Sequence, residues 1–257
     1  MILTSDYHTH TVYSHGKGSV MDNAGRARQI GLKEIAISDH GFSHPAFGLT
    51  KKKLPKLRAD CDNATKEMGV KVLLGIESNI IGTDGSVDLK PSLYDKFDVF
   101  LAGIHKLVYF KFGSMFSLGL PDLFCSTFKM DKVPKSLIKT NTKTFINVIK
   151  NNPIDVITHL NFCCYADAVE VAKVASDYGT YLELNAKKIH LTDEELSKIL
   201  DTGVKFVISS DAHTPDRVGE ISLVEKMLKR VNVPEDRIMN INGRTPQFRF
   251  KAFKERG

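Results

Sequence analysis

Six histidines of this sequence stand where short apolar, β-branched runs end, a place where imidazole can hold a metal, move a proton or complete a buried hydrogen bond. His8 and His10 follow the run Ile2 to Tyr7, and His40 closes the string Ser38-Asp39-His40. His105 and His159 end two further runs, and His213 ends another in Asp211-Ala212-His213. Glu77 takes the equivalent place after Lys71 to Ile76. Any one of these histidines reads equally well as a hydrogen-bonded core or surface residue. Their joint placement points elsewhere, because neutral imidazole suits Zn, Fe or Mn and a carboxylate can bridge two ions. Six imidazoles with Glu77 and Asp211 exceed what one four-coordinate ion can use. We therefore expect two or three divalent ions, with Zn foremost and Mn or Fe as alternatives.

Something must bring those run ends together. The runs Ile2 to Tyr7, Glu34 to Ser38, Lys71 to Ile76, Val99 to Ile104, Asp155 to Thr158, Tyr181 to Leu184 and Lys205 to Ser209 read as strands. Segments of helical period separate nearly all of them, near Asp22 to Ile30, Lys53 to Met68, Thr142 to Asn151, Ala166 to Tyr178 and Val218 to Val231. Another helix opens with Thr192, with Glu195 three residues on, a capping-box pattern. Alternation of this kind gives an α/β fold with a parallel sheet and right-handed crossovers, here a distorted (β/α)7 barrel. The carboxyl ends of barrel strands open onto one face, so the side chains named above would converge there, and His8 and His10, two apart, would point the same way.

Composition sets the outer limits. The 257 residues are 42% hydrophobic and 26% charged, with 18 Gly and 9 Pro, which excludes collagen, coiled coil and wholesale disorder. We expect one domain over 1–257. No window approaches the roughly 18 apolar residues of a spanning helix, and the start has no signal-peptide run, so neither a membrane partner nor export is expected. Four cysteines without C-x-x-C spacing favour a reducing cytoplasm. A net charge of +6 suits anionic ligands without specifying nucleic acid. The oligomeric state is not legible.

The motifs Asp6-Tyr7-His8-Thr9-His10, Ser14-His15-Gly16, Ser38-Asp39-His40-Gly41, Gly75-Ile76-Glu77, Gly103-Ile104-His105, Thr158-His159 and Ser210-Asp211-Ala212-His213 resemble, in order and spacing, those of the polymerase and histidinol phosphatase (PHP) superfamily of metal-dependent phosphoesterases. Leu182-Glu183-Leu184-Asn185 and Met239-Asn240-Ile241-Asn242 are most similar to its stand-alone, YcdX-like bacterial phosphatases. The resemblance implies a distorted (β/α)7 barrel. It also implies three ligand sets: His8, His10, Glu77 and Asp211; Glu77, His105 and His159; and His15, His40 and His213. The activity implied is hydrolysis of small phosphate monoesters by attack of a metal-bound hydroxide at phosphorus, with Glu77 and Asp211 at the reacting centre.

Two other readings stay open, a nucleic-acid phosphodiesterase or exonuclease and an inactive module that binds a partner. The first gains from the basic, aromatic tail Phe248 to Lys254, although an amphipathic end packing its Phe side on the barrel explains that tail better. Arg217, before a helix start, is a candidate grip on the phosphate, with Lys106 second. Asp6 and Asp39 are candidates to orient imidazoles. His44 and His190 read as surface residues. Residues 107–138 are longer than a compact barrel needs and rich in Phe, with Gly113, Gly119 and Pro121 breaking any regular element. A lid that selects the non-phosphate half of the substrate is expected there, with an oligomer interface or simple packing as alternatives.

Overall fold

Parallel strands covered on both faces favour continuous β-branched and aliphatic residues, and the seven runs supply them. The computed structural model describes residues 1–128, 130 and 132–256. Strands β1 (Ser5–Thr9), β2 (Glu34–Ile37), β3 (Lys71–Asn79), β4 (Val99–Gly103), β5 (Val156–Ile157), β6 (Tyr181–Asn185) and β7 (Phe206–Ser209) lie in sequence order and pair in parallel. Thr9 bridges Ala212, and the His10 N–H donates to the Ala212 carbonyl at 2.8 Å, which brings the sheet to a nearly closed barrel. The Asp6 carboxylate fastens the same seam by accepting from the backbone N–H groups of Ser210 and Gly219. The expected barrel is present.

Its helices are α1 (Val20–Gln29), α2 (Leu54–Met68), α3 (Phe112–Ser114), α4 (Leu120–Thr127), α5 (Lys135–Asn151), α6 (Ala168–Tyr178), α7 (Asp193–Leu200), α8 (Ser222–Val231) and α9 (Arg249–Arg256). Thr192 and Glu195 form the reciprocal cap read from the sequence, and Ser19 with Asp22 forms another at α1. None of the described helices is long and apolar enough to cross a membrane.

The lower barrel interior is closed by Tyr7, Val99, Leu101, Val156, Tyr181 and Val207. β1 serves both this floor and the open end through an irregularity in its pairing with β2. Asp6 faces Ile35 and Thr9 faces Ile37, so three steps on β1 span two on its neighbour. One extra residue in a ladder exchanges the faces of the strand beyond it. Tyr7 thus joins the apolar floor while His8 and His10 turn into the interior above.

One expectation about irregular segments changes. Within residues 107–138, of which 129 and 131 lie outside the described residues, positions 112–127 are not an irregular loop: α3, a π turn at Met115–Gly119 and α4 run on as one helical stretch. Gly119 does not break it, because the Phe110 ring lies 2.7 Å from where a β-carbon would stand, so glycine is what lets that ring pack. Pro121 sits in the first turn of α4, right after the wider π turn, where a missing N–H is tolerated. At the other end of the chain, α9 buries Phe250 completely against Tyr94 and Phe100 beneath the barrel. That is the packing role favoured for the tail.

Candidate metal centre

At the open end of the barrel the strands deliver their last side chains to one carboxylate. Glu77 lies on β3 in register with Leu101 of β4, fully buried and inward. His159 Nε2 is 2.7 Å and His105 Nε2 2.9 Å from Glu77 Oε1, and His8 Nε2 is 3.3 Å away. On the other oxygen, His40 Nδ1 is 2.8 Å and His10 Nε2 3.6 Å distant. Asp211 approaches from the far side of the seam, its Oδ1 3.4 Å from His10 Nε2 and 3.3 Å from His213 Nδ1. His15 is the exposed member, its ring stacked on His40 at 4.8 Å and near His213 at 4.3 Å. The structure therefore brings together all nine residues singled out as candidate ligands.

These groups are poorly satisfied by one another. Glu77 Oε2 and His40 Nδ1 are buried and close, yet neither has a hydrogen bond of acceptable angle. His8 Nε2 and His10 Nε2 face each other at 3.1 Å. His8 also directs Nδ1 to Glu183 Oε1 at 2.7 Å, so its proton belongs there and a lone pair points into the cluster. Converging lone pairs and an orphaned carboxylate oxygen are what a cation would satisfy, and the N/O donor set suits a divalent transition metal. Among the described residues four triads have donor atoms all within 4.8 Å of one another: His8, His10 and Glu77; His8, His159 and Asp211; His40, Glu77 and His105; and His10, His40 and His213.

The local electrostatics point the same way. Burial alone would push the Glu77 carboxyl up, but His105, His8 and His40 hold it well below the usual carboxylate range. Burial opposes charge on His8, yet Glu77, Glu183 and Asp211 hold its value well above that of ordinary imidazole, so these carboxylates favour positive charge where Nε2 faces them, which a cation would supply in place of a second ring proton. Burial lowers His105 to about 4, and burial with the neighbouring His40 lowers His10 well below the normal value. His159 and Asp211 adopt φ of 28° and 49°, backbone strain of the kind that collects at functional sites.

Several sequence expectations shift. Asp6 and Asp39 touch no imidazole ring. Asp39 instead accepts from Thr11 N at 2.8 Å and from the hydroxyls of Thr11 and Ser14, pinning the loop between His10 and His15. Glu183 does the orienting, holding the His8 ring and accepting from the His159 N–H at 2.7 Å. A signal for it existed, since a carboxylate between Leu182 and Leu184 in a buried strand needs a partner. His44 and His190 are not mere surface residues: with Phe47, Phe162, Lys187 and Lys188 they line a cavity of about 390 Å³ above the cluster. Lys106 lines it too. Lys187 Nζ reaches 3.3 Å from Asp211 Oδ1 and 3.1 Å from His213 Nδ1. Arg217 is exposed at the end of a 3-10 turn and is not among the lining residues.

Comparison with known proteins follows the same lines. A probable phosphatase of Thermoanaerobacter sp. (strain X514) is 30% identical over 256 residues, covering 93% of this chain and 91% of that protein. The probable phosphatase YcdX of Escherichia fergusonii is 29% identical over 252 residues, covering 92% and 89%. The histidinol phosphate phosphatase of Lactococcus lactis, solved with zinc, L-histidinol and phosphate, shares the fold at a TM-score of 0.62 and 15% identity, covering 96% of this chain and all of that one. The PHP domain model matches residues 6–187, the stretch from the carboxylate that fastens the barrel seam to the lysine that reaches Asp211. A match across so much of the barrel makes this chain a member of the PHP-domain family.

Proposed function

We propose that this protein is a metal-dependent phosphatase acting on small phosphate monoesters. The observation that carries the reading is the buried Glu77 carboxylate, ringed by imidazole nitrogens with one oxygen unsatisfied, directly under an open cavity. Two or three divalent ions, Zn foremost and Mn or Fe as alternatives, would be held by His8, His10, His15, His40, Glu77, His105, His159, Asp211 and His213, with Glu77 shared. Bound there, they would supply an activated water and offset the charge of the phosphate. Probable phosphatases aligned over nearly the whole chain support the reading.

The chain's own residues do the rest. Lys187, Lys188 and Lys106 place positive charge on the cavity lining, which draws in a phosphate dianion. Lys187, rather than Arg217, is placed to grip it. Glu183 fixes the His8 ring so that Nε2 faces the cluster. Phe47 and Phe162 give the cavity apolar walls that limit water near the ester. At about 390 Å³ the space is of small-molecule size, which favours a monoester over a nucleic-acid strand. The complete burial of Phe250 takes one of the tail's three rings away from strand binding. An inactive binding module is disfavoured because every candidate ligand is present. Four buried, unpaired cysteines are compatible with a reducing cytoplasm.

The test is a panel on metal-reconstituted protein: sugar phosphates, nucleotides, histidinol phosphate and short oligonucleotides. Release of inorganic phosphate from at least one monoester is expected. Cleavage of oligonucleotides alone would overturn the reading.

A further inference from the structure

Phe112, Phe116, Leu120, Phe124 and Phe128 recur every fourth residue along the α3–α4 stretch, and each is between 47% and 86% exposed. A four-residue step overshoots an ideal α-helical turn by about 40°, so such a stripe would normally wind around the helix. The wider π turn at Met115–Gly119 offsets part of that drift and keeps the stripe on one side. Rings pair along it, Phe112 with Phe116 at 5.5 Å and Phe124 with Phe128 at 4.8 Å. At about 200 Å² per large side chain, the stripe opens on the order of 600 Å² of apolar surface, as large as the biggest patch of a typical monomer.

The opposite face is committed. Leu118 and Cys125 are buried, and Asn141 of α5 donates to Asp122 Oδ1 at 2.8 Å. The stripe is therefore held outward. Lysines prevail along this part of the chain: from Lys106 to Lys143 the sequence has seven Lys and only two Asp, Asp122 is buried, and the acids that share the Lys135 and Lys139 groove, Asp167 and Glu170, come from the loop and helix beyond. Lys111, Lys132, Lys135 and Lys139 are exposed, Lys111 with Asp84 beside it at 2.7 Å.

We propose that this helical stretch is a docking surface for an anionic phospholipid bilayer, the Phe stripe entering the acyl boundary and the lysines meeting the headgroups. Exposed aromatic side chains along a helix with exposed lysines at both ends, Lys111 before Phe112 and Lys132 and Lys135 after Phe128, match that interface. A second copy of this chain would bring the same lysines against one another. Single-stranded nucleic acid asks for a groove that tracks its backbone, and here the rings project from a convex helix. The lid expected of this segment finds no support in the cavity, none of whose lining residues lies between 107 and 138. This departs from the expectation of no membrane partner, which rested on the lack of a spanning helix, and lying on a membrane is a different state. The proposal holds whatever ester the site hydrolyses.

Co-sedimentation of the full chain with vesicles tests it, comparing pure phosphatidylcholine with a mixture containing phosphatidylglycerol as about one-third of the lipid. Binding to the mixed vesicles, at least tenfold weaker to phosphatidylcholine, is expected. Phe116→Ser with Phe124→Ser should weaken binding at least tenfold, and so should Lys132→Glu with Lys135→Glu, while far-UV circular dichroism and metal content stay unchanged. All four side chains are exposed, so folding should be intact. No binding at low salt overturns the proposal, as does binding that ignores both double variants. Self-association in sedimentation velocity that Phe116→Ser abolishes, without vesicle binding, assigns the surface to a second copy instead. Binding of oligothymidylate in preference to vesicles likewise overturns it.

Discussion

Glu183→Gln is the sharpest test of how the cluster is built. The Glu183 carboxylate is buried and accepts three bonds: from His8 Nδ1 at 2.7 Å, from the His159 backbone N–H at 2.7 Å and from Asn185 Nδ2 at 3.0 Å. All three partners are donors, so a glutamine keeps one acceptor oxygen and turns an NH2 group toward the rest. One donor is left facing a donor, and a buried donor without a partner costs about 1–3 kcal/mol. The strain falls either on the His8 ring, which then loses its tautomer and aim, or on the His159 backbone, already at a positive φ. In either case a side chain that faces Glu77 moves. Removing a carboxylate behind a metal-binding imidazole typically weakens metal affinity about 10- to 100-fold, or about 1.4–2.8 kcal/mol. The assay is competition for Zn against a chromophoric chelator, run beside a thermal melt of metal-free protein to separate misfolding from weakened binding. Affinity within threefold of wild type would refute the argument that Glu183 sets the His8 ring.

Four further outcomes follow from the geometry. Glu77→Ala should leave less than one bound ion per chain by elemental analysis and abolish turnover, as should chelation of the wild type; activity retained in either case refutes a shared carboxylate. Lys187→Ala should raise KM about tenfold, near 1.4 kcal/mol, with a smaller change in kcat, and an unchanged KM would remove it from phosphate binding. Arg217→Ala should leave kcat/KM within about threefold, since that side chain is exposed away from the cavity; a larger loss restores the role read from sequence. Burial pushes the Asp122 carboxyl up from 3.8 to about 7, with Asn141 its one donor. A raised folded value favours the protonated form, so Asp122's stabilising contribution is whole below about pH 4 and is lost as pH rises through about 7, by at most about 1.4 kcal/mol per unit. Asp122→Asn should therefore flatten the fall in melting temperature between pH 5 and 8, and an identical slope refutes the assignment.

The cluster was legible because metal ligands combine two strong signals, residue type and position at the end of an apolar run, and parallel strands turn that position into convergence. β3 shows it well: alternation through Gly75 and Glu77 fixes which way the carboxylate must point. Less could be read where meaning depends on distant partners. Asp39 and Glu183 are both acids beside ligand-bearing segments, and only the fold reveals that one holds a loop backbone and the other an imidazole. His44 and His190 lie outside the strand-end pattern, and it is loop conformation that brings them to the cavity. The 112–127 helix was hidden by Gly119 and Pro121, ordinarily breakers, because neither the Phe110 ring over the glycine nor the π turn before the proline has a sequence signature.

The extra residue in β1 ties the catalytic end of this barrel to its foundation. Upstream of it the strand's inward side chains belong to the apolar floor, and downstream they belong to the histidine cluster. Only Tyr7 and His8 lie between Asp6 and Thr9, so deleting a single residue there would restore plain alternation at the cost of either the floor's Tyr7 or the cluster's His8. Neither outcome is neutral, since one opens the floor and the other takes a candidate ligand from the cluster. β1 is thus a strand whose length cannot drift, and anyone moving this H-x-H onto another barrel must carry the irregularity along with the histidines.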